Sequence, residues 1–134
     1  ADIEKLIQKE MDDQDTENIV VGGFSQGGAV APFVAKLYAK MYPKIKGVIS
    51  LSSWVLDEFR EQGGKGSNAL MDIPLFIAHG TVDEQVPHQQ SEEFLNFWES
   101  HDATVTRKLY QGMGHTCNSK VEEDIKTFLF QYIQ

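Results

Sequence analysis

Asn18-Ile19-Val20-Val21-Gly22-Gly23-Phe24-Ser25-Gln26-Gly27-Gly28 is an apolar run that ends in a serine flanked by glycines, and a helix-like segment follows it. A Gly-x-Ser-x-Gly pattern between strand and helix sets the serine Oγ at the end of a buried strand. The turn there is so tight that side chains two positions either way would collide. Gly23 and Gly27 are read as removing those side chains. Because the chain turns straight into a helix, the Gln26 N–H and the positive helix end face the point where a reacting carbonyl oxygen would gather negative charge. Ser25 is therefore a candidate nucleophile. The same five residues also occur in plain Gly-rich turns, so the surrounding chain has to decide.

Working outward, Ile3, Leu6, Ile7 and Met11 recur at helical spacing among Asp, Glu and Lys, which predicts an amphipathic helix over residues 3–11. Residues 18–24 form the first strand, and residues 26–42 a largely apolar helix that Pro43 ends. Pro32 inside that helix deletes a hydrogen bond, so a bend or an irregular first turn is expected near Ser25. Ile45 to Ser52 and Pro74 to Ala78 read as strands apolar on both faces, which need helices on both sides. Between them a short helix from residue 55 and the polar Gly-rich loop 63–68 are expected; Lys65 in the loop lacks the spacing of a phosphate loop.

Residues 88–100 place Phe94, Leu95, Phe97 and Trp98 on one helix face, and residues 103–110 alternate as a half-exposed strand near a sheet edge. The last helix, 119–133, carries Val121, Ile125, Phe128, Leu129, Tyr132 and Ile133 on one stripe. Alternating strands and helices predict an α/β fold, with a parallel sheet joined by right-handed crossovers.

At 134 residues with 41% hydrophobic content, the chain can bury one core and is read as a single domain, 1–134. It begins at Ala1 inside a helical pattern, which reads as part of something longer. No apolar run approaches the ~20 residues that span a bilayer. A net charge of −8 without a basic stripe argues against nucleic acid as a partner. The single Cys117 cannot form an internal disulfide, which fits a reducing, cytoplasmic setting. It is read as a small buried filler, with a reactive role the rival reading because His115 lies two residues before it.

In a parallel α/β sheet, reactive groups sit on loops after the strands. Three such loops stand out: the one at Ser25, His79 to Pro87 with Asp83, and Gly112-Met113-Gly114-His115. Serine needs a base to take its proton during attack. His115 can take the proton and return it to the leaving group, because an unperturbed imidazole titrates at ~6.5, close to working pH. Asp83 would fix the tautomer of that ring and stabilise the imidazolium. Gly112 and Gly114 would let the loop bend. The order Ser, Asp, His along the chain is the one used by α/β hydrolases.

His79 is read as a structural neighbour of the site, with a role as base the rival reading. His88 and His101 are read as solvated, and Asp57 and Asp72 lack a matching histidine turn. No pair of histidines has ligand-like spacing, so no metal is expected.

Gly-Phe-Ser-Gln-Gly-Gly-Ala (23–29), Leu-Ser-Ser-Trp (51–54), His-Gly-Thr-Val-Asp-Glu-Gln-Val-Pro (79–87) and Gly-Met-Gly-His (112–115) closely resemble the phospholipase/carboxylesterase family. Its best-known members are acyl-protein thioesterases and lysophospholipase-like esterases. The resemblance runs over nearly the whole chain. It implies a triad of Ser25, Asp83 and His115, an oxyanion donor in the Gln26 N–H, and a substrate-lining position at Trp54, which is otherwise an ordinary aromatic at a strand end.

The implied activity is hydrolysis of esters or thioesters through an acyl-enzyme, with no cofactor. Family members also carry an upstream segment with the first strands and a second oxyanion donor. Without it, the first strand is expected to expose an edge, through which the chain would bind its upstream half, dimerise or aggregate. A non-catalytic fragment or interaction module is the alternative; a dienelactone-hydrolase type would favour a cysteine where Ser25 stands.

Overall fold

A computed structural model describes residues 2–12, 18–38, 44–57, 73–101 and 103–133. In chain order the elements are α1 (Asp2–Asp12), β1 (Ile19–Phe24), α2 (Gln26–Tyr38), β2 (Ile45–Leu51), β3 (Leu75–Gly80), α3 (Gln89–Glu99), β4 (Val105–Tyr110) and α4 (Ser119–Tyr132). The four strands form one sheet in the order β1-β2-β3-β4, all parallel. Each strand lies beside its successor in sequence.

Helices cover both faces because the strands are apolar on both faces. On one side Ala31, Val34 and Ala35 of α2 and Phe94 and Trp98 of α3 pack on Val48, Leu75 and Ile77. On the other, Val121 and Phe128 of α4 pack on Ile49, Phe76 and Ala78. The stripe predicted for the last helix is thus core-facing, although Tyr132 at its end stays 38% exposed. Asn118 starts that helix by accepting the Val121 N–H on its side chain at 3.0 Å. The predicted loop at 63–68, most of the short helix from residue 55, and residues 39–42 of the second helix lie outside the described residues.

Register fixes where the loops emerge. Phe24 pairs with Leu51, Leu51 with Ala78, and Gly80 with Tyr110, so all four strands end along one edge of the sheet. Backbone bonds beyond the strands keep the loops there: Ser25 N–H to Leu51 O at 2.8 Å, Ser52 N–H to Ala78 O at 2.8 Å, and Thr81 N–H to Tyr110 O at 3.1 Å.

Two expectations are corrected. β3 continues to Gly80 rather than stopping at Ala78, because His79 and Gly80 pair with Leu109 and Tyr110 of β4. Of the bend or irregular first turn expected near Ser25, the irregular turn is absent: the Ala29 N–H donates to the Ser25 carbonyl at 3.1 Å and the helix runs on through Pro32. Pro32 cannot donate to the Gly28 carbonyl one turn back. The buried Ser50 hydroxyl of β2 donates to that carbonyl instead, at 2.7 Å. Ser50→Ala should therefore strand a buried acceptor and lower stability by about 1–3 kcal/mol. Urea unfolding measures this; an unchanged midpoint would mean that Gly28 finds another donor.

Candidate active site

Ser25 sits between β1 and α2 with φ +57°, a left-handed conformation that a non-glycine residue adopts at a cost of about 1–3 kcal/mol. Neighbouring contacts hold it there. A Cβ on Gly23 would come within 2.2 Å of the Gly27 backbone, so this glycine is required by close approach. Gly27 is not: a Cβ there meets nothing within 4 Å. Its side of the turn faces an open groove, and the second glycine that matters is Gly28, where a Cβ would sit 2.8 Å from that of Ser53. The close approach lets the Ser53 hydroxyl donate to the Ser25 carbonyl at 2.8 Å.

The three candidate catalytic side chains meet. Ser25 Oγ lies 3.0 Å from His115 Nε2, and His115 Nδ1 lies 2.7 Å from Asp83 Oδ2. Asp83 Oδ1 accepts the N–H groups of Gln85 at 2.9 Å and Val86 at 2.8 Å. Burial pushes the Asp83 carboxyl up, but the bonds from Val86, His115 and Gln85 outweigh it and hold the carboxyl below its usual value. Asp83 is thus a charged acceptor, so Nδ1 of His115 carries a proton and Nε2 is free to accept from Ser25.

The loops that carry Asp83 and His115 are tied together. The Val82 N–H donates to the Met113 carbonyl at 3.0 Å, and the Gly112 N–H to Thr81 Oγ1 at 2.9 Å. Gly112 has φ +76°, the conformation that needs glycine, whereas Gly114 has ordinary space and no positive φ. Phe24 tilts against the His115 ring with centroids 4.8 Å apart.

Gln26 is the first residue of α2, so its N–H has no acceptor within the helix and lies next to Ser25. Trp54 is half-buried in a 620 Å³ cleft with Gln85, Val86, Pro87 and Gln90, beside the Asp83 loop. Asp57 lines the same cleft and is exposed, while Asp72 lies outside the described residues.

Three further sequence readings change. Cys117 is exposed, not a buried filler, and partial burial together with the Glu122 charge pushes its thiol up, which disfavours the reactive thiolate. His101 is half-buried rather than solvated: its ring lies 4.4 Å from that of Phe97, and its Nδ1–H donates to the Phe97 carbonyl at 2.6 Å. His88 is half-buried where α3 begins. Ser50, Ser53 and Thr81 escape sequence reasoning because their partners lie on other elements. Among the described residues no three His, Cys, Asp or Glu side chains are grouped to hold a metal.

A parallel sheet with helices on both faces, a serine on a strained strand-to-helix turn, and an acid and a histidine on later loops at the same edge define the α/β-hydrolase fold. The chain belongs to the phospholipase/carboxylesterase family, which it matches over residues 1–133. It is 32% identical over 130 residues to acyl-protein thioesterase 1 of Kluyveromyces lactis, covering 95% of this chain and 56% of that protein. A crystal structure of a variant of Arabidopsis thaliana SOBER1 superposes with a TM-score of 0.79 at 27% identity, covering 99% of this chain and 62% of that one. For Zea mays acyl-protein thioesterase 2 the TM-score is 0.80 at 20% identity, covering 96% and 62%, a likeness of fold alone. The chain thus spans a little over half the length of the thioesterase relative.

Proposed function

We propose that this chain is the triad-bearing part of a serine hydrolase that cleaves carboxylic esters or thioesters through an acyl-enzyme on Ser25. The observation that carries the reading is the unbroken series from Ser25 Oγ through His115 to Asp83, at 3.0 and 2.7 Å. In this mechanism Ser25 Oγ attacks the acyl carbonyl as its proton passes to His115 Nε2. The leaving alcohol or thiol takes that proton, and water then repeats the sequence to release the acid and restore Ser25.

Asp83 stabilises the imidazolium, and the Gln26 N–H binds the oxyanion. The Trp54 cleft is the proposed place for part of the substrate. All the chemistry resides in amino-acid side chains and backbone, so the reading calls for no cofactor. The name of the Kluyveromyces lactis relative favours acyl groups on proteins as substrates, and a cytoplasmic location suits that class.

The second reading, a hydrolase part that needs another segment, is favoured by a specific feature. Among the described residues β1 pairs only with β2, so its other side is an open edge. Beside that edge lies a 430 Å³ groove lined by Leu6, Ile19, Val20, Val21, Val30 and Val34. An unpaired strand beside apolar surface recruits further strands. We therefore read residues 1–134 as one partial domain, which binds an upstream segment or a second copy through β1.

The test compares p-nitrophenyl ester turnover and molecular mass of the chain alone and with a separately made upstream segment. The segment is expected to raise turnover by about 100-fold or more by supplying a second oxyanion donor. A monomer with equal turnover in both cases would contradict the partial-domain reading, and no turnover in either would contradict the hydrolase reading.

Among the described residues no helix is long and apolar enough to cross a membrane.

A further inference from the structure

We propose that His79 is a positioning residue for the triad: its Nε2–H bridges the Val86 carbonyl and the Asp83 carboxylate and sets how Asp83 meets His115. The catalytic consequence rests on the hydrolase reading; the structural claim does not.

His79 is fully buried near the end of β3, on the face that Leu75 and Ile77 turn to the core. Its Nε2 lies 2.7 Å from the Val86 carbonyl and 3.4 Å from Asp83 Oδ2, the oxygen that also accepts from His115. A carbonyl only accepts, so Nε2 carries the proton. Val86 in turn donates its own N–H to Asp83 Oδ1 at 2.8 Å. The acid loop is pinned near its start by the Val82 N–H on the Met113 carbonyl, and at its far end by His79 on Val86. An apolar side chain could fill the space but would leave the Val86 carbonyl unsatisfied and the loop end loose.

The other ring nitrogen fixes the charge. Nδ1 of His79 is buried with no hydrogen-bond partner among the described residues, so protonation would create a donor with nothing to accept it. Burial lowers the pKa of the ring, against the Val86 carbonyl and the Asp83 charge, which raise it; His115 across the loop and His88 at the start of α3 lower it further. His79 is thus a neutral donor near neutral pH and cannot serve as a second base, since the lone pair it would use is on Nδ1, which is buried and meets no proton donor among the described residues. Protonation would put a full charge beside the carboxylate oxygen that His115 uses.

The experiment follows the chain by histidine ¹⁵N NMR, with His79→Leu and His79→Gln as variants; the glutamine amide can reach the position of Nε2 and donate. Wild type is expected to hold His79 as the neutral Nε2–H form at pH 6.5 and to give a far-downfield proton for His115 Nδ1–H. His79→Leu should lose that proton and slow fluorophosphonate labelling of Ser25 by about 10- to 100-fold while still melting cooperatively. His79→Gln should restore both.

A His79 that is charged or carries its proton on Nδ1 at that pH overturns the proposal. So does a folded His79→Leu with the wild-type downfield proton and labelling rate. Should His79→Leu fail to fold, the wild-type tautomer and the His79→Gln variant decide. A wild-type protein that keeps the NMR signature but labels neither alone nor with the upstream segment would count against the hydrolase reading and leave the positioning role standing.

Discussion

Ser25→Ala is expected to lower ester turnover by about 10⁴- to 10⁶-fold, and His115→Ala by a similar factor, with the double variant little worse than either. The reason is geometric. In the proposed mechanism Ser25 Oγ attacks only while His115 Nε2, 3.0 Å away, takes its proton, so removing either partner removes the same step. On that mechanism, what survives is the proposed effect of the Gln26 N–H and of substrate binding. Additive losses in the double variant would mean that the two side chains act independently. Near-normal turnover in either single variant would place the chemistry elsewhere. The measurement is p-nitrophenyl ester hydrolysis in the assembly that is active in wild type.

Asp83→Asn should cost about 10⁴-fold in turnover with little change in folding. The amide oxygen can still accept the Gln85 and Val86 N–H groups that Oδ1 accepts now, at 2.9 and 2.8 Å, so the loop keeps its shape. Toward His115, however, the carboxylate oxygen is replaced by an NH₂ that donates. The imidazole then presents a lone pair at Nδ1 to that NH₂ and carries its proton on Nε2, which no longer accepts from Ser25. Full activity in this variant, with Asp57→Asn inactive instead, would identify a different acid. Thermal melts separate a lost tautomer from a lost fold.

The meeting of Ser25, Asp83 and His115 is legible in the sequence because its signals are local and ordered. A strand running into Gly-x-Ser-x-Gly, an aspartate after one later strand and a histidine after the next need only the rule that parallel strands end on a common edge. The register of Phe24 with Leu51 and of Gly80 with Tyr110 is that rule in atoms. The features that sequence misreads depend on partners distant along the chain. The end of β3 is set by Leu109 and Tyr110, so residue types alone put His79 after the strand when it lies within it.

The motif treats its two glycines alike and so credits Gly27 with relieving a clash. The packing of α2 against the segment after β2 gives that task to Gly28. Pro32 looks disruptive in sequence because the hydroxyl that answers its missing hydrogen bond belongs to Ser50, on another element. The exposure of Cys117 follows from where α4 begins, which residue type alone does not reveal.

The measurement closest to the central claim is the site of fluorophosphonate attachment. Only a serine whose proton has a ready acceptor attacks such a reagent quickly, and Ser25, with His115 at 3.0 Å, is in that position. Peptide mapping by mass spectrometry after brief exposure of the assembled protein should find one adduct, on Ser25, which is absent after Ser25→Ala or His115→Ala. Adducts spread over ordinary serines, or equal labelling in Ser25→Ala, would contradict the account.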